Sequence, residues 1–85
     1  MKVRVRFFAS LREVMGTKMV EMNLLEGANL SDMYLELAKT FDQTRVDSID
    51  GSGVRIAVNQ DLVHERSLML NDGDEIGFLP PVTGG

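Results

Sequence analysis

The chain has 85 residues, enough for one domain, and its net charge of −4 argues against nucleic acid as a main partner. It contains no cysteine, which excludes a disulfide framework, a thiolate metal site and a cysteine nucleophile, and which fits a reducing, cytoplasmic setting. The apolar runs are short and basic residues interrupt the start of the chain, so we expect neither a membrane span nor a signal peptide.

The first predicted strand covers residues 2–8, where apolar and basic residues alternate. This alternation predicts a half-buried strand with Val3, Val5 and Phe7 turned towards the core. Continuing the same alternation places Phe8 on the solvent side of the sheet.

Charge is distributed unevenly along the chain. Residues 1–18 carry five basic residues and one acidic residue, whereas the remainder carries four basic and twelve acidic residues. This asymmetry indicates either pairing between a basic strand and acidic neighbours or an acidic surface that meets a basic partner.

A short helical turn and a second strand follow. Ser10 can cap the turn because Glu13 lies at the capping-box spacing, and Gly16 ends it. Residues 19–24 alternate again and predict a strand. The connection is too short for a crossover, so we expect this strand to run antiparallel to the first.

The main helix is predicted to begin after Asn29, a favourable N-cap with Asp32 three residues later. Its apolar residues recur at helical spacing and form one stripe that would pack against a sheet: Leu30, Met33, Tyr34, Leu37, Ala38 and Phe41. Residues 42–53 are rich in Asp, Ser and Gly and are interpreted as a solvated loop. Their acidic residues do not have the spacing of a calcium-binding EF-hand loop.

The second half contains three further predicted strands, at residues 54–59, 62–63 and 75–79. In the last of them Ile76 and Phe78 should face the core, while Gly77 and Leu79 face outwards. His64 is the only histidine, and we interpret it as a surface turn residue.

The predicted order is strand, strand, helix, strand, short strand, strand. A single amphipathic helix must bury its stripe across one face of a mixed sheet. With the first and last strands side by side at its centre, this sheet gives a ubiquitin-like β-grasp, an α+β fold of about five strands. We expect residues 1–79 to form this domain and residues 80–85 to form an extended tail.

We expect the tail to pack against nothing and to end in a free carboxylate. Its residues are Pro80, Pro81, Val82, Thr83, Gly84 and Gly85. The prolines stop the preceding strand because they lack N–H donors. The terminal glycines form a thin thread, and six extended residues reach roughly 20 Å at about 3.3–3.6 Å each. The alternative interpretation is a frayed terminus without a role.

Three segments carry a family resemblance: FFASLREVMG, VNQ at residues 58–60, and LNDGDEIGFLPPVTGG. Together they resemble the small subunit of molybdopterin synthase, and the resemblance covers essentially the whole chain. The sulfur carrier of the thiamine pathway is similar in fold and also ends in Gly-Gly, but it is usually shorter and lacks the Pro-Pro-Val-Thr lead-in.

The resemblance implies sulfur transfer from the chain terminus. An adenylating enzyme of the ubiquitin-activating type would use ATP and magnesium to activate the Gly85 carboxylate. A sulfur donor protein would then convert it to a thiocarboxylate. In an expected heterotetramer, the large synthase subunit would take the tail from Pro80 to Gly84 into its active site, where sulfur reaches precursor Z of the molybdenum cofactor. The chain would be a non-catalytic subunit that binds no cofactor or metal itself.

The resemblance also implies a partner surface. The matching positions Phe8, Leu62 and Leu79 form an apolar patch in the family. Arg12 matches the Leu-Arg-Glu turn and is a candidate contact for the activating enzyme. The sequence departs from the family pattern in a slightly longer, acidic segment before Val54.

Two alternatives to sulfur transfer remain open, and they differ in the role of the tail. A ubiquitin-like protein modifier would attach its Gly85 to lysines through isopeptide bonds, after the same activation step. A plain interaction domain would leave the tail idle.

Overall fold

The structure of the protein, a computed structural model, describes residues 1–51 and 53–81. Within these ranges the chain forms five strands and three helices. Their bounds are β1 (Lys2–Phe7), α1 (Ser10–Met15), β2 (Met19–Asn23), α2 (Leu30–Thr40), α3 (Gln43–Ile49), β3 (Arg55–Val58), β4 (Asp61–Val63) and β5 (Glu75–Leu79). None of these helices combines the length and apolar character needed to cross a membrane.

The five strands form one mixed sheet in the order β2-β1-β5-β3-β4. Strands β1 and β5 run parallel, with Val5 opposite Ile76 and Phe7 opposite Phe78. The other pairs are antiparallel, including β1 with β2 as the short connection predicts. The central pairing of the first and last strands and the β-grasp fold are thus confirmed.

Helix α2 buries its predicted stripe against one face of the sheet. The Asn29 side chain accepts a hydrogen bond from the Asp32 N–H at 3.0 Å, and the Asp32 carboxylate accepts one from the Asn29 N–H at 2.9 Å. This capping box fixes the start of the helix. The Tyr34 ring meets the Phe78 ring edge-on, with centroids 5.7 Å apart. Burial raises the pKa of the Tyr34 hydroxyl, and the nearby Arg66 guanidinium partly opposes that shift.

The interpretation of residues 42–53 as a loop throughout is wrong, because residues 43–49 form helix α3. The Asp42 side chain caps this helix by accepting a hydrogen bond from the Arg45 N–H at 2.8 Å. Val46 and Ile49 are buried, so the helix adds its own apolar face to the core. An acidic residue taken as part of a solvated loop is therefore a helix cap.

The predicted Ser10 cap is also wrong. Ser10 is the first residue of α1, and Ala9 occupies the N-cap position with φ 52° and no side-chain cap hydrogen bond. The predicted end of this helix is confirmed, since Gly16 adopts the left-handed conformation and its N–H donates to the Arg12 carbonyl at 2.9 Å.

Two segments singled out in the sequence meet in a polar cluster beside β5. Asn59 and Gln60 both have positive φ and make the tight turn between β3 and β4. The Asn59 amide donates to Asp74 Oδ1 at 2.9 Å, and its oxygen accepts from the Glu75 N–H at 3.0 Å. Asp74 is only 8% exposed, and its Oδ2 accepts from the Asn71 N–H at 2.7 Å. The cluster ties the hairpin to the start of the central strand.

The basic residues of β1 form ion pairs with acidic residues of the neighbouring strands. Lys2 pairs with Glu21 at 3.7 Å, while Arg4 and Arg6 pair with Glu75 at 3.9 and 2.9 Å. This arrangement favours cross-strand pairing as the explanation of the charge asymmetry.

We predict that Asp74→Ala lowers the free energy of unfolding by about 2 kcal/mol, because it leaves the Asn71 N–H and the Asn59 amide without their acceptor. Urea unfolding measures the change. Asp47→Ala is the matched control: among residues 1–51 and 53–81 its exposed carboxylate accepts a hydrogen bond only from Gln43 one turn away, and its loss should cost less than about 0.5 kcal/mol. Equal losses in the two variants would contradict a structural role for the Asp74 cluster.

Candidate functional site

The sheet register gathers apolar and small residues on the face opposite α2. Ala57 lies opposite Leu62 of β4 on one side and Gly77 of β5 on the other. Ile76 and Phe78, the neighbours of Gly77, are completely buried against the core. Because successive residues of a strand point to opposite faces, Gly77 and Leu79 face outwards as predicted.

Gly77 makes room for the ring of Phe8. A Cβ atom at Gly77 would lie 2.9 Å from Phe8 Cε2, closer than real side chains approach. The Phe8 N–H donates to the Phe78 carbonyl at 3.0 Å, which continues the β1–β5 ladder by one residue. Arg6 covers the ring with its guanidinium 4.9 Å from the centroid and contacts Glu75. Phe8 is therefore half-buried and held in place, although it lies on the outer face.

Three of the four predicted partner residues line one groove on this face. The outer groove, as we call it, has a volume of about 420 Å³ and apolar walls formed by Phe8, Leu62, Leu79 and Pro80. Leu62 is 50% exposed, and it lines the groove together with the half-buried Leu79 and Phe8. A contiguous apolar patch of this kind is typical of a binding surface.

Polar residues surround the outer groove. Arg55, Gln60 and Glu75 contribute to its lining, and Glu75 is already paired with arginines of β1. An apolar centre with a polar rim is the usual composition of a protein–protein interface.

Arg12 lies apart from the outer groove. It is exposed on α1, and its Nε donates to the Phe7 carbonyl at 3.3 Å. The structure thus gives Arg12 a local contact with the end of β1, and a contact with an activating enzyme stays a prediction.

The tail begins at the outer groove. Strand β5 ends at Leu79, and both Leu79 and Pro80 line the groove. The predicted tail residues Val82, Thr83, Gly84 and Gly85 lie outside the described residues. The expectation that the tail packs nothing is wrong for its first residues, because Pro80 lines the groove beside Phe8 and Leu62 and Pro81 lies against the domain.

Among residues 1–51 and 53–81, no group of three or more His, Asp or Glu side chains is arranged to hold a metal ion. His64 is exposed just after β4, as a surface turn residue would be. The features that sequence reasoning missed are the small residues Ala57 and Gly77 at the floor of the outer groove. The alternation of β5 predicts that Gly77 faces outwards, but only the structure shows the aromatic ring that covers it.

A family model and individual relatives of known name both match this chain over nearly its whole length. The ThiS family model matches residues 5–85. The chain is 37% identical over 83 residues to the molybdopterin synthase sulfur carrier subunit of Escherichia coli, with 98% of this chain and 99% of that protein covered. It is 32% identical over 92 residues to small archaeal modifier protein 3 of Haloferax volcanii, with 100% of both covered.

Solved structures agree with the fold. The crystal structure of SAMP1 from Haloferax volcanii has a TM-score of 0.83 at 24% identity, with both chains covered completely at 100%, and it supports the ubiquitin-like fold. A protein–protein complex of subunits 1 and 2 of the molybdopterin-converting factor from Helicobacter pylori contains a chain with a TM-score of 0.70 and 26% identity, again with 100% of both chains covered.

The resemblance stated from the sequence is confirmed by these relatives. Since the family model spans nearly the whole chain and the relatives match it from end to end, the chain belongs to the ThiS family.

Proposed function

We propose that this chain is the sulfur carrier subunit of a molybdopterin synthase and that the carboxylate of Gly85 carries the sulfur. The observation that carries the proposal is an apolar groove at the base of a Pro-Pro-Val-Thr-Gly-Gly tail. A partner that binds the outer groove would hold Pro80 at its own surface. The four residues after Pro81 can span at most about 14 Å when extended, which suits a narrow active-site pocket.

The tail needs chemical activation, because a carboxylate would have to expel oxide to act as an acyl donor. In the proposed first step a Gly85 carboxylate oxygen attacks the α-phosphorus of ATP, and pyrophosphate leaves. The product is an acyl adenylate with AMP as a good leaving group. A side chain at either terminal glycine would crowd this attack, which explains the residue type.

Sulfur then replaces AMP. The terminal sulfur of a persulfide on the donor protein attacks the acyl carbon, and AMP leaves. A thiol reductant cleaves the resulting acyl disulfide, which yields the Gly85 thiocarboxylate and a new disulfide. Because the sulfur stays covalently bound, no sulfide has to diffuse between proteins.

Delivery takes place in the large synthase subunit. The thiocarboxylate sulfur attacks a carbon of precursor Z, and the oxygen substituent of that carbon leaves as water or phosphate. Hydrolysis of the resulting thioester then leaves the sulfur on the substrate and returns the Gly85 carboxylate. The Helicobacter pylori complex of subunits 1 and 2 supports a two-subunit assembly for this step. The acids, bases and magnesium of the cycle belong to the partner enzymes.

A second candidate function is protein modification. It is favoured by the end-to-end match with the archaeal modifier protein of Haloferax volcanii. A lysine amine would attack the activated Gly85 carbonyl and form an isopeptide bond. Tryptic Gly-Gly remnants derived from this chain on cellular proteins would support this function. A carrier role in thiamine synthesis would use the same thiocarboxylate with a different acceptor.

Deleting Gly85 should abolish sulfur loading without changing the melting temperature by more than about 2 °C, because the buried core residues of the described chain lie between Val3 and Phe78. Loading is measured by intact mass after incubation with the activating enzyme, ATP and a persulfide donor. The full-length chain should gain the mass difference of one oxygen-to-sulfur exchange, and the deletion variant should gain nothing.

Intact mass of the polypeptide purified from its native cell tests separately whether it ends at Gly85. An unloaded full-length chain in the presence of a competent enzyme and donor would contradict the proposed function. A large drop in melting temperature on deletion would contradict the separation of tail and domain.

Leu62→Asp and Leu79→Asp should each raise the Kd for the large synthase subunit at least about tenfold, because each places a charge in an apolar patch that loses water on binding. Titration calorimetry measures the Kd. Leu25→Asp is the matched control, since Leu25 is 87% exposed and lies away from the outer groove. If the control weakened binding as much as the groove variants, the partner surface would lie elsewhere.

A further inference from the structure

Pro81, the first residue beyond the outer groove, packs against Gly53. A Cβ atom built on Gly53 would lie 2.8 Å from Pro81 Cβ and 3.5 Å from Pro81 Cγ. Real Cβ atoms essentially never approach another atom more closely than 3.0 Å. The contact between the tail and the domain at this point therefore requires a glycine at position 53.

Other glycines with similar backbone conformations lack such a contact. Gly53 has φ +86°, and Gly27 and Gly73 have φ +84° and +86°, but a Cβ atom on either of the latter two would meet nothing within 4 Å. A left-handed backbone explains glycine at all three positions. Of these three glycines, only Gly53 is also required for steric reasons, because Pro81 occupies the space that a Cβ atom would fill.

The contact follows from the register of β3 and β5. Arg55 lies opposite Leu79, so two further steps along the same antiparallel register place Gly53 opposite Pro81. Pro81 has no N–H and cannot extend the hydrogen-bonded ladder. At this position the Pro81 ring packs against Gly53 instead. The position of Pro81 is thus tied to the sheet that forms the outer groove.

The segment that carries Gly53 is fixed to the domain on both sides. Before it, Ile49 is buried in the core and Asp50 forms an ion pair with Arg66. After it, the partly buried Val54 packs against the core, and β3 begins at Arg55. A contact with this segment therefore restrains Pro81 relative to the whole domain.

We propose that Gly53 is a positioning residue for the tail: it admits the Pro81 ring and so sets the direction in which the tail leaves the outer groove. This inference rests on the proposed function, because it matters only if partners act on Gly85. A partner that binds the groove then receives the tail from a fixed starting point at Pro81, and displacing Pro81 moves the origin from which the carboxylate must reach its active site. Misplacements of about 1 Å cost enzymes up to roughly a hundredfold in rate.

The test compares Gly53→Ala with Gly73→Ala in the full chain. The two substitutions impose the same backbone strain, and only the first displaces Pro81. Adenylation by the activating enzyme is followed by ATP–pyrophosphate exchange. We expect Gly53→Ala to lower kcat about tenfold or more with little change in KM, since the outer groove is intact, and Gly73→Ala to leave both close to wild type.

A second variant, Pro81→Gly, separates a loss of the Gly53–Pro81 contact from a loss of folding. Pro81→Gly removes the ring, so in that background Gly53→Ala should lose most of its effect on kcat. Melting temperatures of the two alanine variants should match. In the wild-type chain, a nuclear Overhauser effect between Gly53 Hα and Pro81 Hβ should report the contact directly.

The outcomes separate this inference from the proposed function. A wild-type chain that is never adenylated by a competent enzyme defeats the proposed function. An active wild type with equal kcat for Gly53→Ala and Gly73→Ala, or an undiminished Gly53→Ala effect in the Pro81→Gly background, defeats the positioning role alone. A missing Overhauser effect between the two residues defeats the contact itself.

Discussion

The parallel pairing of β1 with β5 is the constraint on which the rest of the structure depends. It places Phe7 opposite Phe78, with the two rings stacked at 5.9 Å and both at most 1% exposed. Truncating one buried phenylalanine typically costs about 3–5 kcal/mol, a large share of the roughly 5–15 kcal/mol that stabilises an ordinary domain. Because almost the entire chain lies between these two strands, their pairing also closes the fold.

The same pairing creates the outer surface. Phe8 and Leu79 directly follow Phe7 and Phe78, and the alternation of a strand turns them to the opposite face. A slip of the register by one residue would exchange buried and exposed positions on the strand and remove the core and the outer groove together. The stability of the domain and the geometry of its candidate partner site are therefore consequences of one register.

Sequence periodicity predicted the strands and the main helix because those patterns are local. It missed α3, since a seven-residue helix with only Val46 and Ile49 buried shows little periodicity, and its cap Asp42 stands among other acidic residues. The floor of the outer groove could not be predicted, because the fit of Phe8 over Gly77 depends on two strands from opposite ends of the chain. The segments around Asn59 and Asp74, which carried part of the family resemblance, form a structural cluster beside β5. A motif shared with a family can thus reflect the fold as well as the chemistry.

The proposed cycle puts a further demand on this surface. One terminal carboxylate has to visit an adenylating enzyme, a sulfur donor and the large synthase subunit in turn, and it can occupy only one active site at a time. If these partners share the outer groove, they compete for it, and very tight binding to any one of them would stop the next step. A groove of about 420 Å³ with partly exposed walls suits such exchange better than a large buried interface would. The polar residues Arg55, Gln60 and Glu75 can then provide specificity. A partner with a mismatched charge at these positions binds more weakly, while the affinity for the correct partner stays low enough for it to dissociate.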